Sequence, residues 1–265
     1  MDPSIPKNYQ SDAVLADQLY ATYFSPTSDK DIRNEVLVFP MTAIHNYCKT
    51  GLVKGEVLVD LSMGATPFQL FNIYKCFKKV IILETNDGCV DDSDKWLNKD
   101  PGAYYWGHAT KIAAKLEGKS DNGEGIEDDL RSRVEQVLRC NFNKENPTDP
   151  FILQKADCVI SLYITGDIST TLESYSHNVG ELAKLLKIGG RLIMIDTFDG
   201  VYFTVGEHKF NIANMNEKDL RQVMGDKGLS IDYLEVMDSK IPNDVAHYGQ
   251  IFCVGAVKTK EVDAN

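Results

Sequence analysis

Cationic side chains are in short supply. Lys and Arg number 28 against 39 Asp and Glu, which leaves the 265-residue chain with a formal charge of −11. A surface of that sign repels phosphate backbones and anionic headgroups, so nucleic acid and acidic membranes are poor partners, whereas small neutral or cationic molecules meet no such barrier. Histidine is scarcer still, at five residues, and none of the six cysteines (Cys48, Cys76, Cys89, Cys140, Cys158, Cys253) stands in a C-x-x-C pair. Metal-ligand spacing is therefore missing, and no metal is expected. Cys158 and Cys253 fall inside strand-like runs, where a thiol behaves as a small hydrophobe; all six are expected to be structural or incidental. Long apolar runs are missing as well. No segment reaches the roughly 20 residues of a membrane span, and the opening MDPSIPKNYQ lacks the apolar centre of a secretory signal. The expectation is a cytoplasmic protein. What remains is ordinary globular usage, 43 % hydrophobic and 25 % charged, in a chain long enough to bury a core without staples.

Apolar residues recur near helical spacing over residues 12–23 and again over 35–48, with the turn SPTSD between them. From Gly55 the character changes. Residues 56–61 form a short β-branched apolar run of the kind found in buried parallel strands, and 79–84 repeat it after a predicted helix over 67–76. A helix is predicted for 91–99, then a Gly-, Asp- and Glu-rich stretch, 117–129, that reads as a mobile surface insertion. Residues 134–140 suit a strand or a helix end. Strand 157–163, helix 174–186 closed by Gly189 and Gly190, strand 191–195, helix 216–227 ended by Gly228, and strands 231–236 and 250–257 complete the chain. Strands alternating with helices imply a parallel sheet covered on both faces. The last two strands are joined only by the loop 237–249, which is easiest for an antiparallel neighbour. The ligand then belongs beyond the carboxyl ends of the strands, beside the first one.

Three features sit where a nucleoside-binding α/β domain needs them. The first strand ends at Asp60 and enters Leu61-Ser62-Met63-Gly64-Ala65-Thr66, a turn of small residues that lets a ligand approach backbone N–H groups. Glu84, about 20 residues later, ends the second strand and is placed to accept hydrogen bonds from both ribose hydroxyls. Residues 161–166, after the fourth strand, are expected to line the other end. An acid ending strand two serves NAD and S-adenosylmethionine binders alike. The missing G-x-G-x-x-G disfavours a pyrophosphate, and S-adenosylmethionine has none. A doubly wound domain in which Gly64 is only a turn residue stays open at this point.

From about Val53 to Lys258 the chain resembles the family of nicotinamide, phenylethanolamine and indolethylamine N-methyltransferases. The resemblance is carried by VKGEVLVDLSMGATPFQL, DKWLNKDPGAYYW with Trp96 and Trp106, VLRCN, ADCVISLY, LAKLLKIGGRLIMID and YFTVGEHKF. It weakens over residues 1–50, where LYATYF is similar to the family's tyrosine-bearing lid helix. The resemblance implies one structural domain, an N-terminal helical lid over residues 1–50 and a methyltransferase domain over 51–265. The fold it implies is α/β and Rossmann-like, of the class I methyltransferase type: a mostly parallel seven-stranded sheet with an antiparallel C-terminal strand and helices on both faces. S-adenosyl-L-methionine is the implied cofactor, and a small amine the implied partner of a chain expected to be a monomer. Carried over, Asp60, Ser62, Met63 and Gly64 form the methionine-side loop. Phe68 stands in place of a cofactor-contacting tyrosine, Glu84 holds the ribose with Thr85 and Asn86 just beyond, and Cys140 and Asn141 sit at the adenine. Leu162 follows the fourth strand, and Tyr23 is a lid contact. The chain departs from the family in three places: Ser62-Met63-Gly64-Ala65 replaces G-S-G-P, Asn141 an aspartate, and Gln18 a lid tyrosine. Ser62 and Met63 are expected to crowd the methionine end. These departures leave a second reading, a relative that keeps the fold and serves as a binding or regulatory protein.

Methyl transfer from a sulfonium is an in-line displacement on an already activated electrophile, so the protein's work is alignment and exclusion of water. An amine or pyridine nitrogen gains from hydrogen bonds that orient its lone pair and from carboxylates that stabilise the cationic product. The candidates are Asp196, Asp199, Tyr202, Glu207 and His247, with Asp244 and Tyr248 nearby; Asp196, ending the fifth strand, ranks first and Asp199 second.

Overall fold

The computed structural model describes Tyr9 and residues 16–261. Its centre is a seven-stranded sheet of order β3-β2-β1-β4-β5-β10-β8. These strands are β1 (Val57–Ser62), β2 (Lys79–Glu84), β3 (Val134–Arg139), β4 (Ala156–Leu162), β5 (Leu186–Phe198), β8 (Leu229–Asp238) and β10 (Gln250–Lys258). β1 is buried at every position, as a continuous Val/Leu run flanked by two parallel neighbours has to be. Its register sets Asp60 beside Ile82 of β2 and Ile160 of β4, so the tips of all three strands end on one edge. β10 runs antiparallel between β5 and β8, as the helix-free loop before it predicts.

A second sheet was not foreseen. β6 (Tyr202–Val205), β7 (His208–Asn211) and β9 (Ala246–His247) form a small antiparallel sheet of order β7-β6-β9. Its third strand comes from the loop 237–249, whose two-residue pairing is too short to leave an apolar pattern.

Of the predicted lid helix 12–23, residues 16–23 are described and the remainder lies outside the described residues. Ala16–Leu19 is α-helical and Tyr20–Phe24 continues as a π turn. A second helical run passes through Lys30–Arg33, a π turn at Asn34–Val38 and Phe39–Lys49. Asp29 caps it by accepting the Asp31 and Ile32 N–H groups. Pro40 explains the irregularity. It has no N–H to offer the Val36 carbonyl four residues back, and an irregular turn there suits a helix that must release that oxygen.

Four sequence expectations are corrected. Residues 67–76 are two short 3₁₀ turns, Phe68–Leu70 and Tyr74–Cys76. Residues 68 to 71 are all buried, with no polar stripe to face water, so packing dictates the path. Second, the helix expected at 91–99 is Asp87–Leu97, because Asn86 caps it early by accepting the Gly88 N–H. Third, Gly189 and Gly190 lie within β5 and do not close the preceding helix, which is Leu172–Leu185. Fourth, the stretch 117–129 is not a free insertion. Its second half enters a helix, Ile126–Arg131, and the Arg131 guanidinium lies 4.7 Å over the Trp96 ring while its Nε donates to the Trp96 carbonyl. Trp96 Nε1 in turn donates to Glu127. Such a clasp joins residues 31 and 35 apart in sequence, which composition cannot reveal.

The lid run is fastened to the sheet at its far end. The Tyr47 ring stacks on Tyr233 at 4.8 Å, and its hydroxyl donates to Asp232 and accepts from Arg191. Tyr47→Phe keeps the stacking and loses both charge-assisted bonds, for an expected cost of about 1.5–3 kcal/mol each way of counting. Urea unfolding of the variant reads this directly; a midpoint equal to wild type removes the clasp from the account.

Candidate active site

Carboxylates collect at the carboxyl edge of the sheet. Asp60, near the end of β1, accepts Ser62 Oγ at 2.7 Å and Gln69 Nε2 at 2.9 Å. Burial pushes its pKa up to about 7 against these two donors. Its role is thus to brace the turn that follows. In that turn Gly64 is left-handed (φ 69°), a conformation that favours glycine, and a Cβ there would press on the Leu19 side chain at 3.1 Å. The Ser62 side chain points inward onto Asp60, and the Met63 N–H donates to the Leu162 carbonyl at the tip of β4.

Glu84, the last residue of β2, is buried and accepts Ser93 Oγ at 2.6 Å. Burial raises its pKa well above the ordinary range. Next to it Thr85 is buried with an unpartnered hydroxyl, and Asn86 donates to the Tyr9 carbonyl. Cys140 is buried with its N–H on the Glu84 carbonyl, and Asn141 is half-buried with its side chain accepting the Asn143 N–H. Leu162 is fully buried. Tyr9 enters the same crevice. Its hydroxyl accepts the Gly64 N–H at 2.8 Å and lies 3.7 Å from Cys89 Sγ, while its ring packs against Phe203 and Phe210.

A cavity of about 40 Å³, room for a few water-sized groups, lies beside Met63. Its walls are aromatic and aliphatic, with Tyr23, Phe24, Tyr163, Phe203 and Tyr248 among them, and two carboxylates, Asp167 and Asp196, reach into it. Asp196 lies in β5 and accepts two backbone N–H groups, Gly166 on one oxygen and Thr197 on the other, both at 2.9 Å. Gly166 makes that approach possible: a Cβ there would sit 2.5 Å from an Asp196 oxygen. Burial nonetheless raises the Asp196 pKa to about 7. Asp167 lies on the one-turn helix Ile164–Asp167, and its Oδ2 is buried without a partner. Burial, then the charge of Asp196, raises its pKa well above the carboxylate range.

The lid and the second sheet close this cavity. Tyr23 donates to the Thr204 carbonyl of β6 at 2.8 Å and lies 3.1 Å from that of Val245, joining the two. Tyr163 holds a left-handed backbone (φ 63°), strained for a bulky residue, and its hydroxyl takes the Val36 carbonyl that Pro40 leaves without an i+4 donor. Glu35, beside Val36, is buried with one oxygen on the Lys240 N–H.

Of the five residues favoured for catalysis, only Asp196 lines the cavity. Asp199 is exposed at a left-handed position (φ 55°), Glu207 is exposed at the β6–β7 turn, and His247 is exposed on β9 with its ring edge-on to Tyr202. Tyr202 is half-buried under the Lys209 ammonium, and Asp244 is exposed. Tyr248 does line the cavity. Among the expected donor contacts, Tyr23 and Met63 line the cavity, and Phe68 is fully buried between Phe24 and Trp106. Asp167 and Tyr9 were missed, while Tyr163 falls within the stretch 161–166 that was expected to line the site. Asp167 follows β4 closely, and its acid in an otherwise uncharged stretch was the available signal. Among the described residues, no cluster of His, Cys, Asp and Glu is arranged to hold a metal ion.

Residues 6–259 match the NNMT/PNMT/TEMT family. Indolethylamine N-methyltransferase of Oryctolagus cuniculus is 33 % identical over 80 % of this chain and 81 % of its own length. Nicotinamide N-methyltransferase of Homo sapiens is 30 % identical over 80 % of each. In fold the chain is similar to magnesium protoporphyrin IX methyltransferase from Synechocystis PCC 6803, with a TM-score of 0.57 at 14 % identity over 91 % of this chain and 90 % of that one. The seven-stranded sheet is thus of the Rossmann-like class I methyltransferase type.

The Asp196 carboxyl titrates near 7 when folded and near 3.8 when ordinary. The native state alone then holds this proton between those values, so the contribution is complete below about pH 4 and is lost as pH rises through 7, at most about 4 kcal/mol. The urea-unfolding free energy of Asp196→Asn is expected to fall less between pH 5 and pH 7 than that of the wild type. Equal slopes mean the carboxyl is ionised throughout.

Proposed function

The chain belongs to the NNMT/PNMT/TEMT family, and from that membership we propose that it transfers the methyl group of S-adenosyl-L-methionine to the nitrogen of a small amine or pyridine-type acceptor. The observation that carries the proposal is a shared sheet edge. The left-handed turn at Gly64 and the buried acid of Glu84 lie on the same edge as the cavity lined by Met63 and Asp196.

The residues at the Gly64 and Glu84 end of the edge suit the donor. Glu84 offers a buried carboxylate for the ribose hydroxyls, with Thr85 and Asn86 beyond it. The left-handed turn at Gly64, whose N–H the Tyr9 hydroxyl takes, borders the methionine end, and buried Cys140 and Leu162, with Asn141, border the adenine end. When bound, the donor supplies a methyl group on a positively charged sulfur. The protein's share is to fix the acceptor nitrogen in line with that methyl and to keep water out, which the aromatic walls and the Tyr23 tie accomplish. Asp196 then faces the positive charge that develops on the nitrogen. Asp199, Tyr202, Glu207 and His247 have no part in this reading, since they lie outside the cavity.

A catalytically silent binding protein was suggested by the altered turn. Ser62 turns inward onto Asp60, and Met63 lines the acceptor cavity, which supports the active reading. On the same reading the protein works as a cytoplasmic monomer without nucleic acid or membrane partners, in keeping with its charge of −11. No helix among the described residues is long and apolar enough to cross a membrane.

Two measurements test this. Label from the methyl of S-adenosylmethionine is expected to appear in a small nitrogen acceptor, and Glu84→Ala is expected to weaken S-adenosylhomocysteine binding by about 1–3 kcal/mol in calorimetry. Failure of the wild-type chain to bind S-adenosylhomocysteine at millimolar concentration would sink the proposal; an unaffected variant would place the ribose elsewhere.

A further inference from the structure

The cysteines divide into two groups. Cys89, Cys140, Cys158 and Cys253 are buried, and burial pushes all four thiols up, so they stay protonated and closed to solvent. Cys48 and Cys76 are half-buried and come together from two different elements. Cys48 is the last residue but one of the helix Phe39–Lys49, and Cys76 ends the turn Tyr74–Cys76. After that helix the chain reverses at left-handed Gly51 (φ 76°), whose N–H donates to the Cys48 carbonyl. The returning segment then lies along the turn. The Gly55 N–H donates to the Cys76 carbonyl, and the Lys78 and Lys79 N–H groups donate to that of Glu56. Across this backbone clasp the two side chains meet, with the Cys48 thiol donating to the Cys76 sulfur.

That contact makes the pair unequal. The donated hydrogen bond holds the Cys76 thiol below its ordinary value, and the same contact pushes Cys48 up. The helix adds to the difference, because Cys48 sits at its carboxyl end, where the partial negative charge of the last carbonyls disfavours a thiolate. Cys76 is thus the nucleophile and Cys48 the thiol that can resolve it.

We propose that Cys48 and Cys76 are an oxidation-sensitive dithiol that closes to an intramolecular disulfide when a peroxide reaches it. The Cys76 thiolate attacks one peroxide oxygen, the oxygen–oxygen bond breaks, and hydroxide leaves and takes a proton from solvent, so that Cys76 becomes a sulfenic acid. The Cys48 sulfur then forms a bond to the Cys76 sulfur as the sulfur–oxygen bond breaks, and the Cys48 proton goes with the leaving oxygen as water. Two thiols lose two electrons and one peroxide is reduced to two waters. The bridge closes residues 48–76 into a loop that carries β1 and the Gly64 turn, and so staples the lid run to the turn that leads into β2. Neither thiol lines the acceptor cavity.

The test treats the full chain at pH 7 with a small excess of hydrogen peroxide and then alkylates it. The intact mass is expected to fall by two hydrogens with no oxygen gained, and a non-reducing peptide map to join the Cys48 and Cys76 peptides of one chain. A dithiol reductant is expected to restore both thiols, and the bridged form to unfold at higher urea than the reduced one. Cys48→Ser is expected to form no bridge and to hold a sulfenic acid on Cys76 that dimedone traps. In Cys76→Ser, oxidation at Cys48 is expected to be slower than that by about tenfold or more. A bridge to any other cysteine, thiols at 48 and 76 that stay reduced, or a bridged form that unfolds at lower urea overturns the proposal, and the wild-type peptide map decides it even where a variant fails to fold.

Discussion

Parallel register is the constraint from which the rest follows. β1 is clamped between β2 and β4 with Asp60 beside Ile82 and Ile160, and β4 is paired in turn with β5. Because parallel strands all finish on the same side, Asp60, Glu84 and Asp196 are delivered to a single edge without any contact among them having to be specified. Each is buried there, and burial raises the pKa of every one. A sheet edge that gathers carboxylates in this way is unfavourable by itself. It becomes useful when ligands bring hydroxyls, N–H groups or positive charge to it.

The protein also divides these acids by task through hydrogen bonding. Asp60 is spent on Ser62 and Gln69 and shapes a turn; Asp196 is held by Gly166 and Thr197; Glu84 is met by Ser93. Asp167 keeps one buried oxygen without a partner among the described residues. Glycines decide two of these fates. Gly64 gives the turn its left-handed backbone, and Gly166 admits a carboxylate where any side chain would exclude it.

The sheet was legible in the sequence because its signals are local: continuous apolar runs such as 57–61, a helix-free final connection, and acids at strand ends. The resemblance carried the donor loop for the same reason, since its residues are contiguous. The acceptor side was not legible. Glu207, His247 and Asp199 looked suitable by chemistry and position in the chain, yet exposure is set by a hairpin and a third strand that pair over more than 40 residues. Tyr9 and Tyr163 reach their places through contacts 55 and 127 residues away in sequence, which no periodicity encodes. The stretch 117–129 misled for the reverse reason: its composition is that of a disordered segment, and one cation–π clasp overrides composition.

Pro40 is an imino acid, and the oxygen it strands at Val36 is where the strained Tyr163 ring is moored. One tie in the cavity wall is therefore set by a local covalent fact, the lack of one hydrogen atom on a nitrogen, beside the tie that Tyr23 makes to the second sheet. Restoring that hydrogen would set a helical amide competing with a phenol for the same carbonyl. One wall of the cavity is in this sense written four residues away from where it is read.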